Sequence, residues 1–393
     1  MNNQRVTFLY SLGFMPYDGW YRRVLLQARA LREEGCHVTV LAWDRSCNLP
    51  GKETISDIEV IRFRIPGDVS RGPANAPNHL RFNQAVYRHL RRNPPEIIHA
   101  VNVAMLPVGL ICARRGRTRS VADICEPDNF LGFWPTRYNW ITRIVDRIEK
   151  RCAARYDQVF VHNAHQLETF QAAGVERIAQ TGSYPDRSLL RAEPRQFSGV
   201  QLNIGRLGTV YAGNGYEEVV AGFRKLCKRR TAASDSRIFR LRIAGKVFDG
   251  YAATFDQLLM PIRDQVDITG AYAVEKLAEL YETLDVSLLL YGKEAFGHVT
   301  PTKLFESMAC GVPVVVSTTG DMPEIVREAD CGVVVDATDP EAIADGLETI
   351  TADPARMAQM SANGLRAARD QYTWEAVREV FLEPYRRLLQ AKL

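Results

Sequence analysis

Along the first half of the chain, short apolar runs alternate with longer segments whose apolar positions recur every three or four residues. Arg5–Ser11 reads as a buried strand, and Gly19–Glu34 follows as a helix with Val24, Leu25, Ala28 and Leu31 at helical spacing. Gly35 stands where such a helix stops. Further strands are expected at His37–Ala42, Glu59–Phe63, Glu96–His99, Ser120–Asp123 and Gln158–Val161, with a helix over Arg81–Arg92. Residues 186–205 are mostly polar and lack a period, so they read as an interdomain linker. The alternation then restarts: strands at 207–212, 238–244, 266–269, 285–291 and 313–317, with helices at 215–229, 252–263 and 273–283 and another opening at Pro301. Asp339-Pro340 pairs a cap with a first-turn proline.

Largely apolar strands separated by helices imply parallel sheets covered on both faces. The expected fold class is therefore α/β, with two doubly wound Rossmann-like domains facing each other across a cleft at the carboxyl ends of their strands. The expected bounds are 1–188 for the first domain and 200–376 for the second. A last helix, from about 377 to 393, is expected to pack back on the first domain.

Length agrees, since 393 residues exceed one ordinary core. The first residues lack the pattern of a secretory signal, and the most apolar run, Val101–Ala113, is too short to span a bilayer. Eight cysteines without a C-x-x-C pair favour neither a zinc site nor a disulfide framework. These features read as a cytoplasmic protein. The net charge of +4 hides an asymmetry: residues 1–190 carry 26 Lys and Arg against 18 Asp and Glu. A basic first half suggests an anionic surface or acceptor nearby. The basic residues are interleaved with acidic ones and accompany no nucleic-acid motif, so nucleic acid is not expected as a partner.

The most informative stretch runs from Tyr291 to Val315. A strand enters a Gly-containing loop, and Thr300 can cap a helix with Pro301 at its first position. The N–H groups of Thr302 and Lys303, with the helix dipole, then form a ready phosphate site, and Lys303 adds a full charge. Glu306, one turn on, can accept two hydroxyl hydrogen bonds, as a carboxylate does with a ribose.

Pro301 to Val315 resembles the donor-binding element P-x-K-L-F-E-x-M-A-x-G-x-P-V-V of the retaining GT-B glycosyltransferases of family 4. Leu241–Gly245, Val266–Gly270, Leu277–Asp285, Asp321–Ile325, Tyr372–Trp374 and Pro95–His99 follow at the family's spacing. The resemblance implies that Glu306 holds the donor's ribose and that His298 occupies the place of a glutamate contacting the transferred sugar. Either His298 or Glu294 then makes that contact, with Gly297 in the same loop. Many relatives carry an Arg and a Lys in the loop at Val210–Gly215 to neutralise the diphosphate. Asn214 is what this loop offers, so Lys246, Lys303 or Arg22 would compensate, with Gly19 letting the first loop approach the phosphates. Cys125 stands where relatives often have His, and Glu126 or Asp128 could serve near the acceptor hydroxyl.

Other candidates are weaker. His99 reads equally as an acceptor contact or a packed histidine. His162 and His165 lack an acidic companion, no D-x-D sequence occurs, and neither a metal nor another cofactor is expected. Gly213-x-Gly215 lacks the rest of a dinucleotide fingerprint. The aromatic stretch Phe130–Trp140 runs into a basic amphipathic helix. That suits peripheral contact with an anionic membrane, or a helix packed on its own domain with a solvated basic face. The resemblance implies a metal-independent transferase moving a sugar from a nucleotide-sugar donor to a carbohydrate or lipid-linked hydroxyl, in cell-surface polysaccharide or glycolipid synthesis. The alternatives are a sugar-nucleotide epimerase and a catalytically silent scaffold.

Overall fold

In the computed structural model, which describes every residue except 2, 17–19, 68–74, 117, 126–138, 199, 234–235, 292–299 and 391–393, the apolar runs become two sheets. Met1–Ser183 with Val377–Leu393 form one compact unit and Tyr184–Ala376 the other.

The first unit holds β1 (Arg5–Tyr10), β2 (His37–Asp44), β3 (Lys52–Ile55), β4 (Ile58–Arg64), β5 (Ile97–Val101), β6 (Arg119–Ile124), β7 (Gln158–Val161) and β8 (Ile178–Gln180). Their order is β3-β4-β2-β1-β5-β6-β7-β8. Every neighbouring pair is parallel except β3 with β4, an antiparallel edge that the sequence pattern did not announce because β3 is largely exposed. The intervening helices are α1 (Tyr21–Glu33), α2 (Ala76–Arg92), α3 (Leu106–Gly116), α4 (Asn139–Ala153) and α5 (Ala164–Ala172). Gly35, at φ +85°, turns the chain after α1.

Strand alternation sends successive side chains to opposite faces. Leu9, Ile98, Ala100, Ala122 and Val159 pack with Phe82, Val86, Leu106, Leu110 and Ala153 from the layer of α2, α3 and α4. On the other face Phe8 stacks on His99 at 4.2 Å, and Phe160 meets Phe381 of the C-terminal helix at 5.1 Å. Arg386 of that helix reaches Glu34 at 2.8 Å, and Arg387 donates to Gln158 at 2.8 Å.

The second unit has β9 (Gln201–Leu207), β10 (Ile238–Ala244), β11 (Val266–Gly270), β12 (Val286–Leu289), β13 (Val314–Ser317) and β14 (Gly332–Val335), in the order β11-β10-β9-β12-β13-β14. Its helices are α6 (Tyr216–Ala232), α7 (Ala252–Leu259), α8 (Leu277–Glu282), α9 (Thr302–Ala309), α10 (Met322–Ala329), α11 (Pro340–Thr351) and α12 (Pro354–Gln371). The chain ends in α13 (Trp374–Gln390). Asp339 caps α11 by accepting from Glu341 N–H at 2.9 Å.

Two expectations are corrected here. The strand placed at 207–212 is β9 at Gln201–Leu207, central in its sheet. Its pattern was disguised by Arg206, which is buried, and by Gly205, where a Cβ would meet Leu284 at 2.4 Å. Nor is 186–205 a free linker. Leu190 packs against the cluster that holds Leu304 and Phe305, and Arg191 N–H donates to Ala309 at 2.8 Å. Arg195 is buried and donates to the carbonyls of Cys310, Tyr281 and Leu284 at 2.9, 2.7 and 2.8 Å. Two expected helices also shorten, with 3-10 turns at Met260–Gln265 after α7 and at Val274–Lys276 before α8.

Candidate functional site

The carboxyl ends of β9, β10 and β11 come together through their glycines. Gly208 N–H donates to Ala244 at 2.8 Å and Gly245 N–H to Gly270 at 2.7 Å. Gly245 lies so close to Gly208 that a Cβ there would sit 1.8 Å from the Gly208 carbonyl oxygen. Beyond them the loops after β9 and β10 run side by side: Val210 N–H donates to Lys246 at 2.9 Å and Phe248 N–H to Val210 at 3.0 Å.

Helix α9 starts among these strand ends. The cap position is Pro301, at φ −64° and ψ 134°, and no side chain caps the helix. This corrects the expectation that Thr300 caps and Pro301 opens the first turn; Thr300 is buried one residue earlier. Leu304 N–H bonds back to Pro301 at 3.0 Å. The opening turn carries the amide partial charge of any helix start. Ser307 Oγ anchors the helix to β12 through Ser287 Oγ at 2.9 Å.

Lys303 lies half-buried against Gly208, which at φ +132° adopts a backbone that side chains rarely take. Burial alone would lower the pKa of Lys303, but Tyr291, Glu306, Tyr272 and Tyr216 together outweigh it and hold the pKa above its ordinary value. The side chain therefore stays a full cation. No ion pair holds it among the described residues, so its charge is open to a ligand. Glu306, three residues on, is 9% exposed and accepts from Tyr281 Oη–H at 3.2 Å. Burial, then Glu306, pushes the Tyr281 phenol well above its usual pKa, so it remains a donor.

A second cation, which the sequence reading missed, adjoins them. Arg206 is buried, donates to Leu290 O at 2.8 Å and to Asn214 O, and lies over the rings of Tyr216 and Tyr291 at 4.7 and 5.2 Å. The loop after β9 thus has an arginine beneath it, and Asn214 is not all it offers. Asn214 itself is buried and spends its amide N–H on Thr209 O at 2.8 Å. An arginine among the apolar residues Leu202, Ile204 and Leu207 was the available signal. Lys246 is exposed and Thr302 half-buried. Gly19, Glu126, Asp128, Glu294, Gly297 and His298 lie outside the described residues.

In the first unit, Arg22 is half-buried on α1. Its neighbour Arg23 is the residue built into the fold. Buried Arg23 meets Asp123 through both carboxylate oxygens, at 2.9 and 2.7 Å, and also donates to Thr181 and Gly182. Gln27 donates to Asp123 at 2.8 Å. Burial alone would raise the Asp123 pKa, but Arg23 and His99 carry it far below the usual carboxylate range. His99 is corrected as an acceptor contact. It is fully buried in mid-strand, its Nδ1 paired with Tyr385 Oη and its Nε2 3.6 Å from Asp123. Burial, foremost, lowers its pKa. Cys125 is buried and donates its N–H to Asn102 Oδ1 at 2.8 Å. His162 Nδ1 accepts from Ser183 N–H at 3.1 Å. Among the described residues no group of three or more His, Cys, Asp and Glu side chains could hold a metal.

In chemical terms, the second unit offers a helix start, two cations and a carboxylate with a phenolic partner at the ends of parallel strands. That set suits an anionic group linked to a vicinal diol. Comparison with known proteins gives the same direction. Residues 18–181 match the model of the glycosyl transferase 4-like domain, and residues 199–367 match that of the glycosyl transferases group 1. A D-inositol 3-phosphate glycosyltransferase of Xylanimonas cellulosilytica is 35% identical over 124 residues. That stretch is 32% of this chain and only 28% of the relative's own length. Sucrose-phosphate synthase from Thermosynechococcus elongatus shares the fold at a TM-score of 0.80 and 19% identity, covering 99% of this chain and 100% of that one. Anabaena HepE, solved in complex with UDP, follows at a TM-score of 0.70 and 16% identity, covering 98% and 100%. With both halves matched in order and the whole architecture shared, the chain belongs to the group 1, family 4-like glycosyltransferases of GT-B fold.

Proposed function

We propose that the protein transfers a sugar, with retention at the anomeric carbon, from a nucleoside diphosphate sugar to a hydroxyl of a carbohydrate or lipid-linked acceptor. The reading is supported above all by the pairing on α9 of Lys303 and Glu306, inside the group 1 region. Glu306 would accept hydrogen bonds from the ribose hydroxyls, with Tyr281 fixing the carboxylate. The α9 start and Lys303, with Arg206 behind the loop, would face the diphosphate.

In the step proposed, the bond from the anomeric carbon to the β-phosphate oxygen breaks and the acceptor oxygen bonds to that carbon from the same face. The acceptor proton passes to the departing phosphate. Charge builds on that phosphate in the transition state, where preorganised donors and cations act most strongly. The first unit would bind the acceptor, with no metal or other cofactor involved. The basic first half suits peripheral work on the inner face of a membrane, in cell-surface polysaccharide or glycolipid synthesis.

The test is nucleoside diphosphate release from a panel of UDP-, GDP-, ADP- and dTDP-sugars, with and without EDTA. Release that is selective for one donor, survives EDTA and falls in Glu306→Ala supports the reading. If a donor is converted to another nucleotide sugar without acceptor, the reading fails in favour of an epimerase. Absence of both turnover and nucleotide-dependent thermal stabilisation would leave a silent scaffold.

A further inference from the structure

Helix α4 presents an exposed amphipathic face. Trp140 is 62% exposed, Ile144 43% and Ile148 42%, a single line at spacing i, i+4 and i+8. Arg143, Arg147 and Arg151 form the adjoining line and are also exposed. The two acidic residues of the helix do not oppose them, because Asp146 is tied to Lys150 at 2.6 Å and Glu149 is buried. Ala153 joins the core, so the helix is anchored at its other side.

The neighbouring helices extend the same surface. Ile111 on α3 is 48% exposed and Leu80 on α2 68%. Neither helix contains an Asp or Glu, and α2, α3 and α4 together carry nine arginines. A soluble protein rarely aligns large apolar side chains this way on a surface with so little negative charge. A polyanion such as RNA would use the arginines and leave the Trp–Ile line idle. A bilayer with anionic headgroups uses both, since apolar side chains enter the acyl boundary while arginines remain among the phosphates.

We infer that the α4 face, flanked by α2 and α3, docks on an anionic lipid surface with α4 lying in the interfacial plane. The inference rests on the peripheral-membrane element of the proposed function and names the surface that performs it. Docking would hold the enzyme where a lipid-linked acceptor is found; among the described residues no helix is long and apolar enough to cross a membrane.

The experiment is flotation of the full chain, without donor, on phosphatidylcholine vesicles prepared with and without phosphatidylglycerol. Binding is expected only with phosphatidylglycerol, and it should weaken with salt. Each arginine near such a surface is worth about fivefold in partitioning, so the triple variant R143Q/R147Q/R151Q should lose on the order of 100-fold. Ile144→Asp should also lose binding, and its exposed position leaves the melting temperature unchanged. Binding by both variants equal to the parent, equal binding to neutral vesicles, or binding to RNA without binding to vesicles would each overturn the inference. Nucleoside diphosphate release from soluble donor should be the same in these variants, so failure of docking and failure of the transferase reading are separable.

Discussion

Replacing Gly208 with alanine would test whether the position of the Lys303 ammonium sets the rate. A Cβ at Gly208 would lie 2.9 Å from Lys303 Cε. Carbon atoms rest at about 3.5–4.0 Å, so the side chain must withdraw by roughly 0.7 Å. For an ammonium about 3 Å from a phosphate oxygen, at an effective dielectric of about 20, that retreat reduces the attraction from about 5.5 to about 4.5 kcal/mol. A loss of about 1 kcal/mol in the transition state is roughly a fivefold fall in kcat. The backbone at φ +132° adds a folding cost of about 1–3 kcal/mol, which appears in Tm and not in turnover. Lys303→Met supplies the limit: deleting the charge should cost about 10²–10³ in kcat, as removal of one oxyanion donor does. The assay is nucleoside diphosphate release at saturating donor, with nucleoside affinity by calorimetry on the same samples. A folded Gly208→Ala with parental kcat would refute the positioning argument. A Lys303→Met variant that loses nucleoside affinity as much as turnover would refute the leaving-group role itself.

Glu306→Ala should weaken nucleoside diphosphate binding by at least about tenfold, because hydrogen bonds to a charged acceptor are each worth about 1.5–3 kcal/mol; unchanged affinity by calorimetry removes the ribose assignment. Arg23→Met should destabilise the first unit by about 3–5 kcal/mol at pH 7, leaving Asp123 buried without its cation. In the parent the Asp123 pKa is depressed in the folded state, so the pair's stability is present above about pH 4 and is lost only in stronger acid. In the variant burial carries the folded pKa above the unfolded one, so stability rises as pH falls from 7 to 5. Urea melts should therefore show a gap between parent and variant that narrows toward pH 5, and a constant gap would count against the charge argument.

How legible each element was depended on where its polar groups ended up. β10 was readable at Ile238–Ala244 because its apolar positions alternate and its arginines lie toward the strand's less buried side. β9 was not, since Arg206 and Gly205 interrupt the apolar pattern for reasons that lie elsewhere in the chain, namely the carbonyl of Leu290 and the side chain of Leu284. The α9 motif was readable as chemistry, and Lys303 and Glu306 do lie on one helix at the strand ends. Its cap was misread by one residue because Thr and Pro each suit both positions, and only the backbone angles decide. Sequence spacing left His99 open between two roles. Its burial is set by Tyr385, almost at the other end of the chain, which no local pattern near residue 99 encodes.

The two buried arginines, Arg23 and Arg206, separate architecture from binding. Arg23 ends on a carboxylate, so its unit is locally neutral and the pair can be completed by folding alone. Arg206 ends on carbonyl oxygens and aromatic faces, and among the described residues no carboxylate pairs with it. Lys303 has no ion pair among the described residues either, while Tyr216 feels both cations. Holding an uncompensated charge away from water costs several kcal/mol. Arg206 is such a charge, whereas Lys303 is half-buried and its neighbours favour its charged form, although it stands in the first turn of a helix whose dipole has the same sign. Glu306 offsets Lys303 in part, and it also accepts from Tyr281. Among the described residues two cations thus stand against one carboxylate, an excess of positive charge that a bound diphosphate would relieve. On this argument the diphosphate, more than the base or sugar, supplies most of the ligand's stabilisation of the second unit. Melting temperatures should then rise far more with nucleoside diphosphate than with the matching nucleoside, and equal shifts would place the binding energy in the base and ribose instead.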